Sequence, residues 1–130
     1  RKKLVEMIND YSLEHSFKLL GFIDKDEVYD ILHSSKIFLC TDHENGWGLA
    51  VCEGMSSGLP VVCYDLDIFG SVYQKGYKSV KLYDTEAFAK EIIKLLKNES
   101  LREKIATDAL DQVRQFDHKI VINELLKHLK

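Results

Sequence analysis

Residues 37–62 read I-F-L-C-T-D-H-E-N-G-W-G-L-A-V-C-E-G-M-S-S-G-L-P-V-V. The stretch opens on a short apolar run, 37–40, of the length and composition of a buried strand. A polar segment punctuated by Gly46 and Gly48 follows, and 49–57 can then form a helix that Gly58 ends. The apolar run 61–64 is the next strand. Strand, loop, helix and strand in this order make a crossover unit, which pairs its two strands in parallel.

The same alternation extends in both directions. Toward the N-terminus, Leu4, Val5, Ile8 and Tyr11 recur at helical spacing, and 17–20 is an apolar run stopped by Gly21, as expected for a strand. Asp24 and Glu27 have capping-box spacing ahead of Val28, Ile31 and Leu32, which predicts a helix over 25–34. Toward the C-terminus, 67–75 has no decisive period, and 80–83 reads as a half-buried strand. Phe88, Ile92 and Leu95 then share one helical face. Leu101, Ile105, Ala109 and Val113 share another after a capping box at Ser100 and Glu103, and Val121, Leu125 and Leu129 form a last stripe. The pattern predicts a single α/β domain over 1–130, a doubly wound parallel sheet with helices on both faces. Ligands of such sheets bind at the carboxyl ends of the strands, so the loop after Cys40 is the expected site.

Composition narrows the function. A chain of 130 residues and 15.0 kDa closes one core, and 45% hydrophobic with 30% charged residues is a globular balance. The formal net charge of -3 supplies no bulk positive field for nucleic acid. The apolar runs fall far below the roughly 18 residues of a membrane span. Cys40, Cys52 and Cys63 are odd in number and set in apolar sequence, which reads as buried thiols of a reducing compartment, the cytoplasm. Cys40 and His43 have a ligand-like spacing, yet no C-x-x-C pair supports them, and no metal is expected. His43 has no adjacent carboxylate to orient it as a base and takes no role. The first residue, Arg1, gives the expectation that the chain starts inside a longer protein.

In the loop itself, Gly46 and Gly48 permit close approach of a ligand. Amide groups around Leu49 and Ala50, at the positive end of a helix, suit a phosphate. Glu53, four residues beyond Leu49, can accept paired hydrogen bonds from ribose hydroxyls. Taken singly, these features are also those of an ordinary turn and a helix-start carboxylate.

As a whole, 37–62 resembles the donor-site signature of retaining glycosyltransferases of the GT-B fold, family 4, which runs from a hydrophobic strand into E-G-F-G-L-x-x-x-E-A-M-A-x-G-x-P-V-V. Gly46, Trp47, Gly48, Leu49, Glu53, Met55, Gly58, Pro60, Val61 and Val62 fit it without a gap. The F-K-L-L-G-F-I of 17–23 resembles the strand and turn that precede the signature. The resemblance implies one half of a GT-B fold, a Rossmann-like C-terminal domain that binds a nucleotide-diphosphate sugar, UDP- or GDP-linked, as substrate rather than cofactor. It implies that Glu53 binds the ribose, that the backbone of Gly46, Trp47, Gly48, Leu49 and Ala50 meets sugar and distal phosphate, and that the turn at Phe22 and Ile23 touches the base.

The family's first glutamate falls on Asn45, with Glu44 one residue earlier. These two are the candidate catalytic residues, Asn45 preferred as the sugar contact. The implied reaction is transfer of a hexose or related sugar to an acceptor hydroxyl with retention. The acceptor domain and the first strand lie outside this stretch, so the 130 residues are expected to be inactive alone. A location in the cytoplasm, with room for peripheral attachment at the inner membrane face, accompanies this reading. A non-catalytic sugar-nucleotide-binding domain and a GT-B-like epimerase are the alternatives.

Overall fold

All four residues of the run Val61–Tyr64 are buried, and they form the central strand of a parallel sheet in the order β1-β2-β3. The computed structural model describes residues 2–44 and 46–128. In chain order the elements are α1 (Lys2–Asp10), α2 (Lys25–Ser34), β1 (Phe38–Cys40), α3 (Leu49–Ser56), β2 (Val61–Tyr64), α4 (Asp67–Val72), β3 (Tyr77–Val80), α5 (Thr85–Lys97), α6 (Glu99–Arg114) and α7 (His118–His128).

Side chains alternate across the sheet, so the consecutive apolar residues of β2 feed two cores. Val61 and Cys63 join Cys40 of β1 on one face, beneath Val51 and Met55 of α3, Phe69 of α4, Tyr73 and Ala109 of α6. Val62 and Tyr64 meet Phe88 and Leu95 of α5 and Ile105 of α6 on the other. The doubly wound architecture is therefore present, with α6 contributing to both layers. Small residues let α3 lie close to the sheet: a Cβ on Gly54 would stand 2.6 Å from the Phe38 ring. The Asp24 carboxylate caps α2 by accepting from the Glu27 N–H at 2.9 Å, as its spacing predicts.

Several expectations need correction. Residues 17–20 form no strand, and Phe17 and Leu19 are exposed. An apolar run becomes a strand only where a neighbour takes its backbone groups, and among the described residues the sheet pairs β1, β2 and β3 alone. The strand expected over 80–83 lies at Tyr77–Val80, because β2 sets the register, pairing Val61 with Tyr77 and Tyr64 with Val80. The segment 67–75 holds α4. Asn98 rather than Ser100 caps α6, accepting from the Leu101 N–H at 2.9 Å. Cys52 is only partly buried. In α7, Val121 and Leu125 are exposed, and Leu129 lies outside the described residues.

Candidate functional site

Because the strands are parallel, the segments that leave β1, β2 and β3 all emerge at one edge of the sheet. There the loop 41–48 faces the start of α4. Glu44, Leu66, Asp67, Ile68 and Ser71 line an open cleft of about 490 Å³ between them. Glu44 is thus placed in the cleft with a second carboxylate, Asp67, across from it. Asn45 lies outside the described residues.

The end of the loop is defined atom by atom. Gly48 is the N-cap of α3 with φ 80° and ψ 50°, a left-handed conformation that favours glycine. Its carbonyl accepts from the Cys52 N–H at 3.0 Å and so closes the first helical turn. No side chain caps this end and the first turn carries no acidic residue, so the helix start keeps its positive character. Leu49 is 71% exposed, and Trp47 is partly exposed.

Tyr73 fixes this corner from below. The one hydroxyl proton of its fully buried side chain is shared between the Trp47 and Gly48 carbonyls, at 3.2 and 3.1 Å. Burial pushes the phenol up to about 12, so at neutral pH the hydroxyl keeps the proton it donates. Trp47 packs edge-on against Phe116, with ring centroids 4.8 Å apart, and 6.4 Å from Tyr73, as expected of a packing aromatic.

Glu53 is exposed, one turn into α3 from Leu49, while Val51, Gly54 and Met55 turn to the core. Its carboxylate therefore stands clear of the packed face, near the uncapped helix start. Gly46, Trp47, Gly48, Leu49, Ala50 and Glu53 are neighbours along the chain, with Tyr73 holding the Trp47 and Gly48 carbonyls in place. Phe22 is fully exposed, Ile23 half-buried, and neither lines the cleft. Among the described residues no three His, Cys, Asp or Glu side chains converge, around Cys40 and His43 or elsewhere. Among the same residues no helix is long and apolar enough to cross a membrane.

Sequence reasoning misses Tyr73 and Gln112. Gln112 is buried on α6, and its Oε1 accepts from the Gln74 and Lys75 N–H groups at 2.9 and 3.2 Å, tying down the segment between α4 and β3 that carries Tyr73. No periodicity announces these contacts, which join positions 25 to 38 residues apart.

A parallel α/β domain of this kind presents its loops and helix starts together at the carboxyl ends of the strands, the edge at which such sheets bind ligands. The chain belongs to the Glycosyl transferases group 1 family, which matches residues 1–112. A phosphatidyl-myo-inositol mannosyltransferase of Mycobacterium leprae (strain TN) is 29% identical over 119 residues, 88% of this chain and 31% of that protein. A poly(glycerol-phosphate) alpha-glucosyltransferase of Bacillus subtilis (strain 168) is 28% identical over 118 residues, 88% of this chain and 17% of that one. The chain thus spans about a third or less of the length of these relatives. Its fold matches a crystal structure of TarM with a TM-score of 0.83 at 22% identity, over 98% of this chain and 26% of the other. It also matches the C-terminal domain of a glycosyl transferase group 1 family protein, LpcC, from Francisella tularensis, with a TM-score of 0.77 at 24% identity, over 88% of this chain and 60% of that one.

Proposed function

We propose that the chain is the donor-binding half of a retaining GT-B glycosyltransferase of family 4, holding a nucleotide-diphosphate sugar at the loop 41–48. The observation that carries the reading is the uncapped start of α3 at Gly48 with the exposed Glu53 one turn beyond it. The first N–H groups of α3 have no intrahelical acceptor and would hold the distal phosphate. Glu53 would accept from the two ribose hydroxyls, and the turn at Phe22 and Ile23 would meet the base. Asn45, or Glu44 from its place in the cleft, would contact the donor sugar.

In the reaction the bond between the anomeric carbon and the phosphate oxygen breaks. The electron pair leaves with the diphosphate while the acceptor oxygen bonds to the same face of that carbon and passes its proton to the departing diphosphate oxygen. Charge grows on the departing phosphate, where fixed N–H dipoles cost no reorganisation. No metal or cofactor is required by this scheme. The chain covers 31% and 17% of the two relatives' own lengths, and the acceptor would bind outside the shared part, so these 130 residues alone would not turn over. The site of action would be the cytoplasm, with attachment to the inner membrane face compatible with the scheme.

Ligand-observed NMR with a panel of UDP-, GDP- and ADP-sugars tests the reading on the complete protein. Glu53→Ala is expected to weaken binding of the preferred donor about 10- to 100-fold, the loss of two charge-assisted hydrogen bonds. Equal binding by the variant would remove the ribose assignment, and no binding by the wild type would remove the donor site.

A further inference from the structure

We infer that Tyr83 is a positioning residue for the loop 41–48, anchoring it through His43. The consequence for donor binding rests on the reading above, whereas the anchoring rests on geometry alone. Tyr83 lies in the turn between β3 and α5 with φ 67°, in the left-handed region. A bulky aromatic residue is uncommon there, because its Cβ crowds the carbonyl, and Gly, Asn or Asp fill such positions at lower cost. The turn itself does not call for a ring: the next residue, Asp84, caps α5 by accepting from the Ala87 N–H at 2.9 Å. Burial does not call for one either, since Tyr83 is 64% exposed.

What the ring does is meet His43. The two centroids lie 4.6 Å apart at an interplanar angle of 73°, an edge-to-face pair. Tyr64, the buried last residue of β2, completes a triangle of rings, 6.0 Å from His43 and 6.4 Å from Tyr83, and is in turn backed by Phe88 at 5.1 Å. His43 therefore rests against both a ring fixed in the core and a ring carried by a strained turn, and those two rings meet each other as well. The next residue, Glu44, lines the cleft. The loop is thus tethered at both ends, by Tyr73 at Trp47 and Gly48 and by the ring pair at His43. Strain persists where the surroundings over-determine a residue, and here the surroundings are the loop that borders the cleft.

The test compares Tyr83→Asn, which tolerates the left-handed backbone but has no ring, with Tyr83→Phe, which keeps the ring. Thermal unfolding, amide hydrogen exchange over 41–48, and titration with UDP and GDP are measured on the complete protein. Tyr83→Asn is expected to hold or raise the unfolding midpoint, by about 0–4 °C. Loop exchange should rise about three- to ten-fold, and the affinity for the nucleotide the wild type binds should fall by the same factor. Tyr83→Phe should restore wild-type loop exchange and affinity. Unchanged loop exchange in Tyr83→Asn, or a lowered unfolding midpoint, would overturn the inference and make Tyr83 a turn residue serving the fold. Accelerated loop exchange with no binding of either nucleotide by the wild type would uphold the anchoring while removing the donor site.

Discussion

The Tyr73 hydroxyl donates to the Gly48 carbonyl across 3.1 Å, and through it the C-cap of α4 sets the first turn of α3. The same proton is shared with the Trp47 carbonyl at 3.2 Å, so a single phenol orients two consecutive peptide groups beside the uncapped helix start. Tyr73→Phe keeps the ring and its packing and removes only the donor. The expected cost is about 1–2 kcal/mol, for hydrogen bonds lost in a buried setting, with weaker nucleotide binding as the loop loosens. Urea unfolding and a nucleoside diphosphate titration check both; wild-type values in each would show that packing alone holds the corner.

Two glycines separate folding from ligand access. Gly76 has φ 84°, and a Cβ there would stand 2.4 Å from the Ala109 Cα, a backbone atom of α6 that cannot step aside. Left-handed strain and overpacking together predict a loss of about 3–4 kcal/mol for Gly76→Ala. A Cβ on Gly46 meets nothing within 4 Å. Gly46→Ala should change stability by less than about 0.5 kcal/mol, while its methyl group stands where a ligand would approach the loop. Parallel melting and binding curves decide: a Gly46→Ala protein with unaltered affinity would show that the ligand does not come close to this backbone.

How far this arrangement can be read from sequence depends on the distance over which each contact acts. The β1–loop–α3–β2 unit is local. Its signals are an apolar run, two glycines, a helix stop at Gly58 and a second apolar run, and the structure follows them nearly residue for residue. The edge of the sheet is not local. The run 17–20 has strand composition, but composition does not supply a partner, and β3 is shifted because β2 chooses its register. The supports of the candidate loop are invisible for the same reason: Tyr73, Tyr83 and Gln112 act across long sequence separations, through contacts that no period or spacing encodes.

The cap of α6 shows the same limit at short range. Both Asn98 and Ser100 have a good capping side chain, and Ser100 has the matching Glu103. The chain chooses Asn98, which closes α5 as its C-cap and opens α6 as its N-cap, leaving no room for a longer turn. Asn98→Ala should cost about 1 kcal/mol, and Ser100→Ala less than about 0.5 kcal/mol. Chemical denaturation of the two variants checks the order, and a larger loss at Ser100 would place the cap there.

Alkaline pH should weaken the fold through its buried acids. Burial, followed by the nearby Cys40 and Asp65, pushes the Cys63 thiol from 9.0 up to about 12. Burial, followed by Cys52 and Cys40, pushes the Tyr73 phenol from 10.0 up to about 12. A raised value in the folded state means that the unfolded chain releases these protons first. The stabilisation is therefore complete below pH 9 and is lost as pH climbs from 9 to 12. The urea midpoint should be flat near neutrality and fall across that window. Phenylalanine at position 73 has no proton to lose, so Tyr73→Phe, less stable than wild type at pH 7, should decline less steeply above pH 10, and the two curves should converge. Curves that stay parallel up to pH 12 would mean that the Tyr73 phenol ionises as readily in the folded protein as in the unfolded one, and would contradict the placement of its hydroxyl beneath the loop.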